Sequence, residues 1–175
     1  MASGVPAPAG GSANGSGLAR RRARDESALY NPAFIGTIVS VAAYDYERKR
    51  GELLPWALAF VIPPLVLASE VRTQLPGSIR AYLANWLAAQ PAARADTPIR
   101  ARALAPYTQD GIRFGLEHGL LELVDARLRG MLGPTPTANK FEGEAAEIVT
   151  RAAFVGRWLA PEEPIQIFAL LGMRP

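Results

Sequence analysis

The sequence predicts a single, mainly α-helical domain with a short β-hairpin, the two together forming a winged helix-turn-helix-like module. Three observations lead to this fold class. Apolar side chains recur at helical spacing along most of the chain from Leu29 onwards. One stretch, residues 121–129, instead alternates apolar and polar residues as paired strands do. The chain has 175 residues, 49% of them hydrophobic, which suits one domain with a substantial core.

Residues 1–28 are predicted to be a disordered leader, and residues 29–175 to be the folded domain. The leader consists largely of Gly, Ser, Ala, Pro and Arg and has too little apolar surface to offset the entropy of the chain. It carries four arginines against Asp25 and Glu26, so the domain holds only +1 of the net charge of +3. This small excess argues against a strongly basic surface on the domain.

The first helix is predicted from its two ends. Asn31 is a favourable N-cap, Pro32 fits the first helical position, and Gly51 ends the helix after a basic stretch. The apolar run 53–68 follows. It is too short to span a bilayer and contains three prolines, so we expect it to form two short buried pieces.

Further helices are expected at residues 78–87, 144–159 and 165–171, where apolar residues again follow helical spacing. The tryptophans Trp56, Trp86 and Trp158 lie in apolar segments and are predicted to be core residues.

The segment 96–132 carries the winged-helix prediction. A short helix should stop before Pro106, and Thr108 should cap a second helix. The alternating residues that follow predict a hairpin whose two-residue turn is Asp125-Ala126, although this turn lacks the glycine that such hairpins favour. The order helix, turn, helix, hairpin is that of a winged helix-turn-helix.

Exposed polar residues of this segment and of the C-terminal region are the candidate contacts to a partner or to DNA. They are Arg100, Arg102, Gln109, Arg113, Arg127, Arg129, Arg157 and Arg174. Asp110 and Glu117 share the exposed face of the second helix with Arg113, which is a poor arrangement for binding phosphates. Protein docking is therefore favoured over DNA contact.

The residue inventory argues against catalysis. The absence of cysteine excludes disulfides, thiolate metal sites and thiol nucleophiles, and His118 is the one histidine. Gly111 and Gly115 lie in a helical segment rather than in a dinucleotide-binding loop, and Glu142, Glu144 and Glu147 are expected to be solvated at a helix start. We predict no enzyme activity, no cofactor, no metal and a cytoplasmic location, since no secretory pattern is present. A small hydrolase with an unrecognised site is an alternative.

Several segments in a fixed order resemble a known family. They are NPAF (31–34), LP (54–55), VIPPL (61–65), EVR (70–72), LPGS (75–78), RAL (102–104), YT (107–108), GLLEL (119–123), FVGRW (154–158) and IFALLGMRP (167–175). Together they resemble the middle component of three-component ABC-ATPase systems, which are bacterial conflict or phage-defence operons related to Lamassu. The resemblance covers about residues 29–175.

The resemblance implies an adaptor function. In such systems a coiled-coil ABC ATPase related to chromosome-maintenance (SMC) proteins senses aberrant DNA, and a separate effector, often a nuclease, causes the damage. The middle component is expected to join or restrain these two partners, without a membrane or a small-molecule substrate. The alternative is a stand-alone winged-helix transcription regulator that binds a defined operator as a dimer.

Overall fold

Helices make up most of residues 29–174, which are the residues that the computed structural model describes. The helices are α1 (Pro32–Arg50), α2 (Ile62–Val66), α3 (Ser69–Arg72), α4 (Leu83–Ala89), α5 (Pro91–Glu117), α6 (Pro134–Ala138), α7 (Gly143–Leu159) and α8 (Pro164–Leu170), with a 3-10 helix at Trp56–Val61. The strands are β1 (Leu54–Pro55), β2 (Leu121–Val124) and β3 (Arg127–Gly130). The predicted mainly helical class with a short hairpin is confirmed. The predicted disordered leader lies outside the described residues.

Helix α1 is the central element, and its predicted ends are confirmed. The Asn31 side chain accepts a hydrogen bond from the Ala33 N–H at 2.8 Å, and Gly51 closes the helix with a positive φ of 82°. Residues on all sides of α1 are buried, because α5 and α7 pack along it and β3 crosses it. A helix enclosed in this way has no polar face, so its apolar residues need not form a single stripe.

Close backbone contacts with α1 require glycine at two positions. A Cβ atom at Gly156 in α7 would overlap the Ala42 carbonyl oxygen, and one at Gly130 in β3 would overlap the Ser40 carbonyl oxygen. Both obstacles are backbone atoms of a packed helix, so no side-chain rotation would relieve the overlap. The distance of α7 and β3 from α1 is thus set by the absence of a side chain.

Ser40 fastens the hairpin to the same part of α1. Its buried hydroxyl donates to the Leu120 carbonyl oxygen at 2.6 Å and accepts from the N–H groups of Met131 and Leu132 at 3.1 and 3.2 Å. Leu120 precedes β2 and Met131 follows β3. One side chain therefore holds both ends of the hairpin.

The hairpin has the predicted two-residue turn. In the sheet, whose order is β1-β3-β2, Val124 pairs with Arg127 and Leu121 with Gly130, all antiparallel. The short strand β1 pairs with the other side of β3 through Leu54 and Leu128. Leu128 is fully buried, so the centre of this small sheet belongs to the core.

The helix-turn-helix within residues 96–132 is not confirmed. The two helices predicted on either side of Pro106 are one continuous helix, α5, which contains both Pro98 and Pro106. Pro106 has no backbone N–H, so the Arg102 carbonyl loses its helical hydrogen bond. Because Pro106 and Arg102 are both exposed, water can donate to that carbonyl instead. The buried face of α5, with Thr108 inside the helix rather than at its cap, packs against α1 and keeps the helix continuous.

We predict that Gly156→Ala destabilises the fold by about 2–3 kcal/mol, because α7 must move away from α1 to admit the methyl group. Urea unfolding followed by circular dichroism would measure the loss. Gly77→Ala is the matched control: a Cβ atom there meets nothing within 4 Å, so its effect should stay within about 0.5 kcal/mol. Equal effects of the two substitutions would contradict the close-contact account.

Candidate partner-binding groove

A groove of about 600 Å³ opens between the 3-10 helix, the middle of α5 and the C-terminal residues of the described chain. We call it the Trp56 groove. Its principal side chains are Trp56, Phe60, Arg102, Phe168, Met173 and Arg174. The 3-10 helix and α5 contact each other directly, and α8 brings Phe168 and the residues after it to the same place. Three parts of the chain that are distant in sequence therefore form its walls.

The floor of the groove is aromatic and open to solvent. Trp56 is 49% exposed, and its ring meets Phe60 edge to face, with the ring centroids 5.6 Å apart. Ala57 and Phe60 lie three residues apart, which places them on one face of a 3-10 helix. Leu58, Ala59 and Val61 of the same helix are buried. One face of the 3-10 helix is thus packed in the core, and the other face lines the groove.

The prediction that all three tryptophans are core residues was wrong for Trp56. Trp86 and Trp158 are buried, pack edge to face with each other at 5.3 Å, and donate their indole N–H groups to the carbonyls of Gln74 and Ala81. Trp56 lies in a run that is apolar on every side, so periodicity could not tell its exposed positions from its buried ones.

Two of the predicted contact residues, Arg102 and Arg174, come together in the Trp56 groove. Within residues 29–174, neither forms a salt bridge, and the described groove lining contains no carboxylate. Their positive charge is therefore not neutralised by the described part of the chain. The two arginines were predicted as contacts from the sequence, whereas the exposed aromatic side chains beside them were not.

The other predicted arginines bind carboxylates of the chain itself. The pairs are Arg100 with Glu70, Arg113 with Asp110, Arg127 with Glu52, Arg129 with Glu47 and Glu122, and Arg157 with Asp45. Gln109 is exposed on α5. None of these six predicted residues belongs to the described lining of the Trp56 groove. The structure thus divides the predicted arginines into two that line the groove and five that form salt bridges within the chain.

The Arg157–Asp45 pair is partly a core interaction. Asp45 is 4% exposed, and burial raises the pKa of its carboxyl group, while Arg157 and Arg48 act in the opposite direction. Because the Arg157 guanidinium also donates a hydrogen bond to Asp45, it stabilises the charged form of a carboxylate that has lost most of its water. Arg157 is therefore engaged within the fold.

Two carboxylates that were expected to be solvated, Glu144 and Glu147, are about half exposed and also hold a buried cation. Arg72 is 3% exposed, and its guanidinium binds Glu144 at 2.6 Å and Glu147 at 3.2 Å. It also donates to the Val66 carbonyl oxygen at 2.8 Å. This network joins the first turns of α7 to the chain around α2 and α3. Nothing in the local sequence around Arg72 indicates its distant partners.

His118 and Gly111, which were considered for a catalytic or a nucleotide-binding role, lie on α5 or at its end. His118 is exposed at the end of α5, with its ring stacked on Phe114 at a centroid distance of 3.8 Å. A Cβ atom at Gly111 would clash with Ile35, and one at Gly36 with the Gly111 carbonyl oxygen, so these glycines serve the α1–α5 contact.

In the described part of the chain, no group of three His, Cys, Asp or Glu side chains is placed to hold a metal ion. None of the helices in that part has the length and apolarity to cross a membrane.

The hairpin turn is joined to the Trp56 groove through the backbone. The Trp56 N–H donates to the Ala126 carbonyl oxygen at 3.1 Å. Asp125 and Ala126 both have positive φ, at 48° and 58°, which is the pattern of a type I′ turn. Alanine lacks a side-chain group that could offset the cost of this conformation, so the turn that supports Trp56 is strained.

We predict that Ala126→Gly stabilises the protein by about 0.5–1 kcal/mol, because glycine adopts positive φ without steric cost. Thermal unfolding would measure the gain. Ala95→Gly, in an exposed part of α5, is the control and should cost about 1 kcal/mol. Destabilisation by both glycines would show that the turn is not strained.

Comparison with known proteins places the chain in one family. Searches of curated proteins and of solved structures found no match. A family model described as ABC-three component (ABC-3C) system Middle Component 3 matches residues 19–175, beginning inside the predicted leader. The match covers the described fold and both sides of the Trp56 groove. The chain therefore belongs to the Middle Component 3 family of ABC-three component systems.

Proposed function

We propose that this chain is a non-catalytic adaptor that joins an SMC-like ABC ATPase to an effector protein in a bacterial anti-phage complex. A middle component belongs to a system with other components, so partner binding is the function that family membership supports. The observation that carries the proposal furthest is the exposed aromatic floor of the Trp56 groove. A concave apolar surface of this kind is typical of a site that a partner covers.

The arrangement of charge supports protein binding over direct reading of DNA. Most of the arginines predicted as contacts are paired with carboxylates of the same chain, which reduces their attraction for phosphates. The continuous helix α5 also lacks the corner that presents a recognition helix to the major groove. No observation favours a transcription regulator.

Co-purification tests the proposal in two arms. In the first, the tagged chain is isolated from its native host with and without nuclease. The ABC ATPase should be recovered in both samples, because the contact is between proteins. In the second, the ATPase is tagged in cells that contain or lack this chain, and the effector should be recovered with it only when the chain is present.

Two results would contradict the adaptor function. Recovery of DNA alone, lost on nuclease treatment, would support the transcription regulator instead. Recovery of the effector with the ATPase in cells that lack this chain would show that the two partners bind each other directly.

A further inference from the structure

We infer that the Trp56 groove binds an acidic amphipathic segment of a partner protein, in which a large apolar side chain is flanked by aspartate or glutamate. The inference rests on the proposed function for the existence of a partner. It adds the chemistry of the segment that is recognised and the residues that recognise it.

The apolar part of the occupant follows from the groove floor. Trp56 leaves about half of its surface in water, Phe60 contacts its ring, and Met173 lines the same groove. Tryptophan in a concave site contributes strongly to binding when a partner excludes water from it. A volume of about 600 Å³ has room for large apolar side chains. Met173 has the flexibility to adapt its shape to an inserted group.

The acidic part of the occupant follows from the two arginines. Arg102 approaches the groove from α5 and Arg174 from the C-terminal side, and neither binds a described carboxylate. Guanidinium groups bind carboxylates in paired, charge-assisted hydrogen bonds, which are stronger next to an apolar surface than in open water. A segment with acidic residues around its apolar anchor complements this distribution of charge.

Other occupants fit less well. Residues 1–28 carry four arginines against two carboxylates, so their net charge has the same sign as the rim of the groove. A symmetric contact between two copies through this groove would bring two sets of the same arginines together. Single-stranded nucleic acid could stack on Trp56, but such sites normally follow the phosphate backbone with an extended row of cations, and the described lining of this groove has two.

The test measures binding of the full chain to the purified ABC ATPase and, separately, to the purified effector. Trp56→Ala should weaken binding to one of them by about tenfold or more, because it removes the apolar floor. Arg102→Glu and Arg174→Glu should each weaken the same interaction by a similar factor, because the new carboxylate repels the acidic segment. Arg102 and Arg174 are exposed, so these two charge changes should leave the thermal midpoint unchanged.

Arg94→Glu is the matched control. Arg94 is exposed on the same helix as Arg102, has no salt bridge within the described residues and does not line the groove. The Arg94→Glu substitution changes the net charge by the same amount as each arginine substitution in the groove. The affinity for the partner should stay within about twofold of that of the unaltered chain. A second control exchanges the charges across the contact. Changing the acidic residue of the partner that faces Arg102 to arginine should restore binding to the Arg102→Glu variant.

The outcomes separate the inference from the proposed function. Normal partner binding by all three groove variants would overturn the inference and leave the adaptor function standing. An equal loss of partner affinity with Arg94→Glu would show that the effect depends only on net charge, and this result would also overturn the inference. Binding of a single-stranded oligonucleotide that depends on Trp56 and excludes the protein partner would identify a nucleic-acid site instead. Failure of the unaltered chain to bind either protein would contradict the proposed function itself.

Discussion

The close approach of three elements to the middle of α1 determines the rest of the structure. Gly156 of α7 and Gly130 of β3 lie against the carbonyls of Ala42 and Ser40, and Gly111 of α5 lies against Gly36. These contacts allow an enclosed helix to be surrounded at short distance on several sides. They also fix α5, which forms one wall of the Trp56 groove, while the hairpin that Ser40 holds supports Trp56 through Ala126. The fold therefore sets the geometry of the proposed binding surface.

Much of the fold follows from local patterns in the sequence. Asn31 and Gly51 mark the ends of α1, and the alternation around Asp125-Ala126 predicts the hairpin with its turn, because caps and turns depend on neighbouring residues. The break expected at Pro106 was wrong, since packing of α5 on α1 outweighs the local effect of the proline, and Arg102, whose carbonyl the proline leaves without a helical donor, is exposed. The buried network around Arg72 depends on partners more than 70 positions away, which no local pattern predicts.

The candidate site was predictable only in part. The exposed arginines Arg102 and Arg174 were selected from charge and position, but so were others that prove to be paired within the fold. Trp56 was assigned to the core because its segment is apolar throughout. The groove exists because residues after α8 return to the side of α5, and this is a tertiary contact rather than a property of any one segment.

Hydrogen–deuterium exchange of the chain, free and bound to its ABC-3C partner, tests the central claim most directly. Binding of the partner in the Trp56 groove should slow exchange in peptides that cover the 3-10 helix Trp56–Val61, residues 98–105 of α5 and residues 168–174, with little change at the exposed start of α7. Protection at α7 or along the outer edge of β2, with unchanged exchange around Trp56, would contradict the assignment of the groove as the partner-binding surface.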